Sequence, residues 1–494
     1  MPRNEALPST GRRTTRRTFL RSTMGAVLAI PHAADAAADS GAANGLPLVR
    51  RPVVPQQEEP RTSTRHQLQR PVPSAAQLTW QRDELALFLH FGINTFTGRE
   101  WGDGTEDPAR FTPSALDARQ WARVARRTGF RALVLTAKHH DGFCLWPSRT
   151  TTHSVAGSPW RSGDGDVVRE FVDACRSEDL RAGLYCSPWD RNAPSYGDSQ
   201  RYNDLYAEQL TELLTRYGPI HEVWFDGANG EGPNGRRQAY DWPRTFSLVR
   251  RLQPDAVIFS DAGPDVRWIG NERGIAGDPN WSAVDPSVVP FPGATGSARA
   301  MHMLQHGDPA GTVWRPGETD VSIRPGWFYH PGEDERVRTI DDLVQLFFTS
   351  VGPNSKLLLN VPPTPAGLLP DVDVGRLDGM RRRLDALFDD DLAGGHTVAW
   401  RSAGARSARA ELDLGRPLVA AIADLREDIT RGQTVAAYTL EGFDGGGWHT
   451  LTRGTTVGYR KLDRLAPVTV ERVRLTIQDA TDTPLPVRIA LYAG

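Results

Sequence analysis

From Glu84 onward, short apolar runs that end in polar residues alternate with stretches that carry apolar residues at helical spacing. That alternation is the pattern of parallel strands joined by crossover helices. Leu85 to His90 reads as the first strand, Arg131 to His140 as the second, Arg181 to Asp190 as the third, His221 to Asp226 as the fourth and Ala256 to Ser260 as the fifth. Helices are predicted between them over 117–129, 167–180, 202–217 and 242–252, with Asp117 placed to cap the first and Gly129 to end it. From Gly263 to about Trp327 the pattern gives way to Gly, Pro and Asp, and strands six and seven find no place in the sequence. The alternation resumes with a helix over 340–350, a buried strand over 356–361 and a closing helix over 375–388. The expectation is an α/β chain with a (β/α)8-like (TIM) barrel over residues 79–394, where side chains at strand ends face a shared pocket.

A length of 494 residues accommodates such a barrel plus one smaller domain. After about Gly394 the texture changes to short alternating runs such as VAAYTLEGFD and ERVRLTIQD, separated by Gly and Asp. This spacing predicts an antiparallel β-sandwich over 395–494. At the other end, Arg16 and Arg17 precede a mild apolar run from Met24 to Ile30, and Ala36, Ala37 and Ala38 follow. Residues 1–38 thus read as a twin-arginine-like export signal, with a core far short of the roughly 20 residues that span a bilayer. Residues 39–78, rich in Pro, Arg and Gln, read as a linker or arm. An exported, periplasmic or extracellular protein without a membrane anchor is expected.

The formal charge of −2, from 58 basic and 60 acidic residues, argues against nucleic acid or an anionic membrane as partner. A neutral or modestly polar substrate fits better. Three cysteines, Cys144, Cys175 and Cys186, cannot all pair in one chain, which speaks against a disulfide scaffold.

The polar residues at strand ends carry the chemistry. His90 ends the first strand, Lys138, His139, His140 and Asp141 the second, Tyr185 and Trp189 lie at the third, and Asp226 ends the fourth. A metal site is the first rival, but adjacent His139 and His140 would point to opposite faces of a strand, and no metal is expected. Sugar chemistry needs two carboxyls flanking one bond. Asp226 is the nucleophile candidate, and its partner belongs to a later strand end. Glu272 lies at a suitable distance, beside Trp268; Asp261, Asp265, Asp278 and Glu318 remain open by spacing alone.

Five blocks, LFLHFGINTFTGREWGDGTEDP, LTAKHHDGFCLWPS, GLYCSPWDRN, EVWFDGANGEG and PDVRWIGNE, occur in an order that resembles the α-L-fucosidases of glycoside hydrolase family 29. The likeness spans roughly residues 80 to 395. It implies a retaining exo-acting enzyme on a barrel followed by a carbohydrate-module-like sandwich, with a fucosylated oligosaccharide or glycoconjugate as partner and no cofactor. Carried over by motif, Asp226 matches the nucleophile. His90, Glu100, Trp101, His139 and His140 match residues that grip the fucose hydroxyls, Tyr185 and Trp224 line the pocket, and Arg267 lies near the sugar. The WIGNE-like segment resembles the subgroup that prefers α-1,3- and α-1,4-linked fucose, which implies Glu272 as the acid/base. Two other readings stand beside this one: an inactive fucose-binding barrel, and the same fold acting on a related sugar such as L-galactose.

Overall fold

Eight parallel strands close into a barrel in the computed structural model, which describes residues 70–394 and 398–494. They are β1 (Leu85–Leu89), β2 (Ala132–Lys138), β3 (Arg181–Cys186), β4 (Glu222–Trp224), β5 (Val257–Ser260), β6 (Val266–Trp268), β7 (Gly317–Ser322) and β8 (Ser355–Asn360). Each pairs with its sequence neighbour among these eight, and β8 closes on β1 with Leu87 opposite Leu359. The near-continuous apolar runs of β1 to β5 follow from burial on both faces, one toward the barrel axis and one toward the helices. The signal segment read over residues 1–38 lies outside the described residues.

The helices start where the sequence offers an acceptor for their unpaired amides. Asp117, Asp166 and Asp241 accept from Arg119, Arg169 and Arg244 backbone amides and open helices Ala118–Arg127, Val167–Ser177 and Trp242–Leu252. A further helix, Ala75–Arg82, begins inside the stretch read as an arm, because Ser74 and Gln77 form a reciprocal capping box. It buries Trp80, whose indole donates to Glu222 in the barrel interior at 3.0 Å.

The strands missing from the sequence reading are β6 and β7. Between them the chain leaves the barrel for a small antiparallel hairpin, Ala283–Val284 with Val313–Trp314, and the helix Ala298–His306. The observed strands also stop earlier than expected: β2 ends at Lys138 rather than His140, β3 at Cys186 rather than Asp190, and β4 is only Glu222–Trp224. His90, His139, His140 and Asp226 therefore sit in the first turn beyond their strands, while Tyr185 and Trp224 lie within β3 and β4.

After the barrel come β9 (Ala399–Gly404), β10 (Ser407–Glu427), β11 (Val435–Phe443), β12 (Trp448–Gly454), β13 (Lys461–Ala480) and β14 (Val487–Tyr492). They make one antiparallel sheet in the order β9-β10-β13-β11-β12, with β14 on the far half of β10. The two long strands break register at Asp413/Leu418 and Ala420/Ile422. Leu412 before these breaks and Leu425 after them enter the same buried core, so one bent sheet gives the two-sided packing expected of a sandwich. The described residues belong to one compact unit. Within it Glu84, at the foot of β1, accepts from Arg460 of the sheet domain at 2.6 Å.

Candidate active site

The C-terminal ends of the strands surround a cavity of about 320 Å³, lined by His90, Glu100, Trp101, His139, His140, Tyr185, Trp224, Asp226 and Glu272 together with Phe88, Ala228, Asp320 and Trp327. Of the residues matched by motif, all but Arg267 meet here. Of the other strand-end residues expected at the pocket, Lys138 is buried against Asp190 and Gln209, Asp141 is held by Asn94 and Phe143 behind the wall, and Trp189 turns its indole N–H to Glu231 O, so none of the three lines it.

Asp226 lies two residues past β4, where the backbone turns and supplies its own donor. Ala228 N–H donates to Oδ1 at 2.7 Å, and the Tyr185 hydroxyl donates to Oδ2 at 3.2 Å. Burial and the Asp226 charge hold the Tyr185 phenol far above the ordinary tyrosine range, so it stays a donor. Trp224 packs face to face on Phe259, with ring centroids 4.2 Å apart, and its indole donates to buried Glu318 at 3.0 Å. Glu318 in turn faces Lys356, which also meets Glu222, so a small charged cluster fills the barrel axis beneath the cavity. Burial and the Glu222 charge keep the Glu318 carboxyl well above the usual glutamate range.

The histidines form one wall. Asn360 donates its amide to Ser322 Oγ and Trp327 O, which fixes its oxygen toward His90 Nδ1 at 2.9 Å. His90 is thereby a donor at Nδ1 and presents a bare Nε2. Burial pushes its pKa down to about 3. His139 and His140, expected on opposite faces, enter the cavity together with ring centroids 4.2 Å apart. The reason is that β2 has ended: its register against β3 slips between Thr136 and Lys138, and Gly142 N–H closes a turn onto His139 O. Ser187 gives its hydroxyl hydrogen to Trp189 O and receives His140 Nδ1–H at 2.7 Å. Burial depresses both imidazoles, so the wall is neutral; the Asp226 charge works against this at His140. His139 Nδ1 has no hydrogen-bond partner among the described residues.

Glu100 accepts from Trp327 N at 2.7 Å and meets His330 Nε2 at 2.7 Å, clasping the β1 and β7 loops across the cavity mouth. Trp101 is 56% exposed and stands edge-on to His140 and Trp189, so one indole face is open to solvent.

Glu272 follows β6 and stands at the rim, with its side chain reaching solvent. The cavity walls, and then the Asp226 charge, raise its pKa above the ordinary value of 4.5, while the Trp327 side chain works in the opposite direction. Asp320, on the inward face of β7, was not anticipated. It accepts the Trp268 indole N–H at 2.8 Å, and burial and the Glu272 charge keep its carboxyl well above the usual range. Trp327 was missed as well. Its signal is a tryptophan in the RPGWFYH loop that follows a strand too polar to be recognised.

Arg267, expected near the sugar, is a correction. It is buried on the outward side of β6, where it meets Leu304 O, Arg315 O and Asn280 Oδ1. Neighbouring strand residues face opposite ways, so Trp268 enters the mouth and Arg267 cannot. Of the alternatives left open by spacing, Asp265 pairs with Arg250, Asp278 with Lys461, and Glu318 sits below the floor. Asp261 borders an adjoining space described below. Among the described residues, no group of three or more His, Cys, Asp or Glu is arranged to hold a metal ion, and no helix is long and apolar enough to cross a membrane.

Comparison with known proteins places this geometry among relatives. The Alpha-L-fucosidase family profile matches residues 53–386. Alpha-L-fucosidase 1 of Arabidopsis thaliana is 41% identical over 452 residues, which is 85% of this chain and 87% of that one. The crystal structure of SpGH29 superposes with a TM-score of 0.80 at 42% identity, covering 86% of this chain and 98% of that chain. The Ruminococcus gnavus GH29 fucosidase E1_10125 in complex with fucose gives a TM-score of 0.77 at 31% identity, over 85% of this chain and 95% of that one.

Proposed function

This chain belongs to the α-L-fucosidase family, and from that premise we propose that it releases terminal L-fucose by double displacement, with retention, from α-1,3- and α-1,4-branched glycans. It is a glycoside hydrolase, an α-L-fucosidase. The observation that carries the mechanism is that Asp226 and Glu272 border one cavity and that the Asp226 charge raises the proton affinity of Glu272. That is the asymmetry a nucleophile and an acid require of two neighbouring carboxyls.

In the first step Asp226 attacks the anomeric carbon while Glu272 gives its proton to the departing oxygen. A covalent fucosyl ester on Asp226 and a free alcohol result. In the second step Glu272, now a carboxylate, takes a proton from water, which displaces Asp226 and frees fucose with its original anomeric configuration. Neutral His90, His139 and His140 suit uncharged hydroxyls, since each imidazole both donates and accepts. His90 Nε2 accepts from a sugar hydroxyl. Trp224, Phe88 and Trp327 supply the apolar wall that a methyl-bearing deoxy sugar needs.

The preference for α-1,3 and α-1,4 linkages rests on the PDVRWIGNE segment that carries Glu272. Export rests on the paired arginines Arg16 and Arg17, and places the enzyme outside the cytoplasm, where fucosylated glycoconjugates are accessible. The decisive experiment is NMR of the first product from an aryl α-L-fucoside. Fucose appearing as its α-anomer is expected, and the β-anomer overturns double displacement. Oligosaccharides with α-1,2, α-1,3, α-1,4 and α-1,6 fucose decide the linkage; faster cleavage of α-1,2 or α-1,6 overturns that part.

A further inference from the structure

On the side of Asp226 and Glu272 away from the histidines, the barrel mouth opens into a second cavity of about 260 Å³. It shares Trp224, Asp226, Ala228, Glu272 and Asp320 with the first and adds Phe259, Asp261, Trp268 and Thr295. A bond held between the two acids has its fucose side among the histidines and its other side here. The walls of this space are chemically one-sided. Asp226, Asp261, Glu272 and Asp320 all border it; burial holds the last two toward their protonated forms, so Asp226 and Asp261 carry its negative charge, and no lysine or arginine among the described residues lines either cavity. Arg315, which reaches the β5–β6 loop from the segment before β7, is committed to the carbonyl oxygens of Pro264 and Ala262.

Asp261 is the distinctive group. It is 7% exposed, and its side chain receives the Gly293 N–H at both oxygens, 2.9 Å to Oδ2 and 3.2 Å to Oδ1, with the amides of its own turn as weaker donors. Lone pairs remain for a ligand hydroxyl or amide N–H. Burial pushes its pKa up to about 6, which leaves it ionised at neutral pH. Beside it, Trp268 is held by Asp320 and supplies an aromatic surface of the kind on which a pyranose ring packs.

We propose that this second cavity receives the leaving group of the fucoside, and that its unbalanced carboxyls select an uncharged ring bearing hydroxyl or amide groups and reject an anionic one, with Asp261 the specificity-determining residue. The proposal rests on the reading that Asp226 and Glu272 flank the scissile bond. An anion placed here gives up solvent without gaining a cation, and meets like charge at short range in a weakly screening site.

The test compares kcat/KM for two aryl fucosides of matched shape, 3-carbamoylphenyl and 3-carboxyphenyl α-L-fucoside, at pH 7 and low salt with the full-length enzyme. The carboxylate should be slower by about tenfold or more. The gap should narrow as salt is added, because part of the repulsion is screened. It should also narrow in Asp261→Asn. If that variant does not fold, a matched sulfonamide and sulfonate pair on the unaltered enzyme serves the same purpose. Equal kcat/KM for the two members of a pair overturns the proposal while leaving the fucosidase reading intact. Failure to cleave either member overturns the fucosidase reading, and this proposal falls with it.

Discussion

The hydroxyl of Tyr185 donates a 3.2 Å hydrogen bond to Oδ2 of Asp226, while the other oxygen of that carboxyl is held by the Ala228 amide. Two donors on separate elements thus set the direction in which Asp226 points, one from the interior of β3 and one from the turn after β4. Removing the phenol hydroxyl deletes a hydrogen bond to a charged acceptor, an interaction of about 1.5–3 kcal/mol. Tyr185→Phe should therefore lower kcat/KM on an aryl fucoside by about tenfold to a hundredfold, with little change in the thermal midpoint. Unaltered kcat/KM would assign the aiming of Asp226 to Ala228 alone.

The second prediction concerns pH. Burial and the Asp226 charge raise the Glu272 pKa above the ordinary 4.5, and the acid role needs the protonated form. As pH rises through that raised value Glu272 ionises, so kcat/KM for a substrate with a poor leaving group should decline along an alkaline limb. A substrate that needs no proton on departure, such as α-L-fucosyl fluoride, should lack the limb. The same limb on both substrates would assign it to a different group. His90 is not that group, because it is already neutral above about pH 3.

How far these residues were legible depends on which way each strand faces. Strands β1 to β5 announce themselves because both faces are apolar, and His90 and Asp226 stand out as the polar residues where the runs stop. Strand β7 reads GETDVS because its inward positions carry Glu318, Asp320 and Ser322 to serve the site, so the hydrophobic signal that marks a strand is absent. Asp320 and Trp327 were lost with it. Strand β6 is three residues long and includes a buried arginine, which defeats the same signal. Motif likeness recovered Glu272 but carried Arg267 along with it, since likeness in sequence says nothing of which face a strand residue takes.

The position of Arg267 leads to the third prediction. Its guanidinium serves the carbonyl oxygens of Leu304 and Arg315 and the side-chain oxygen of Asn280, and burial lowers its pKa to about 9. Arg267→Met leaves three acceptors without a donor and should destabilise the fold by a few kcal/mol, seen as a thermal midpoint several degrees lower. KM for an aryl fucoside should stay within about twofold, since the side chain points out of the barrel. A large rise in KM with an unchanged midpoint would restore Arg267 to the sugar site.

The fourth prediction follows from Asp141, behind the histidine wall. Its carboxyl accepts from Phe143 N at 2.7 Å and Asn94 Nδ2 at 3.0 Å, yet burial, with smaller contributions from the Glu106 and Asp190 charges, pushes its pKa from 3.8 up to about 7. A folded-state value above the unfolded one means that the folded chain binds the extra proton between those two values. The associated stability is fully present below about pH 3.8, is lost as pH rises toward 7, and changes no further beyond that. Asp141→Asn cannot lose it, and rotation of the Asn94 amide gives the new N–H a buried oxygen that has no partner among the described residues. The variant's thermal midpoint, measured relative to the native protein, should therefore climb between pH 4 and pH 7 and then level off. The total gain is on the order of a few kcal/mol. A midpoint difference that is the same at pH 5 and pH 8 would mean that Asp141 is ionised in the fold throughout, held by Asn94 and Phe143 more strongly than its burial opposes.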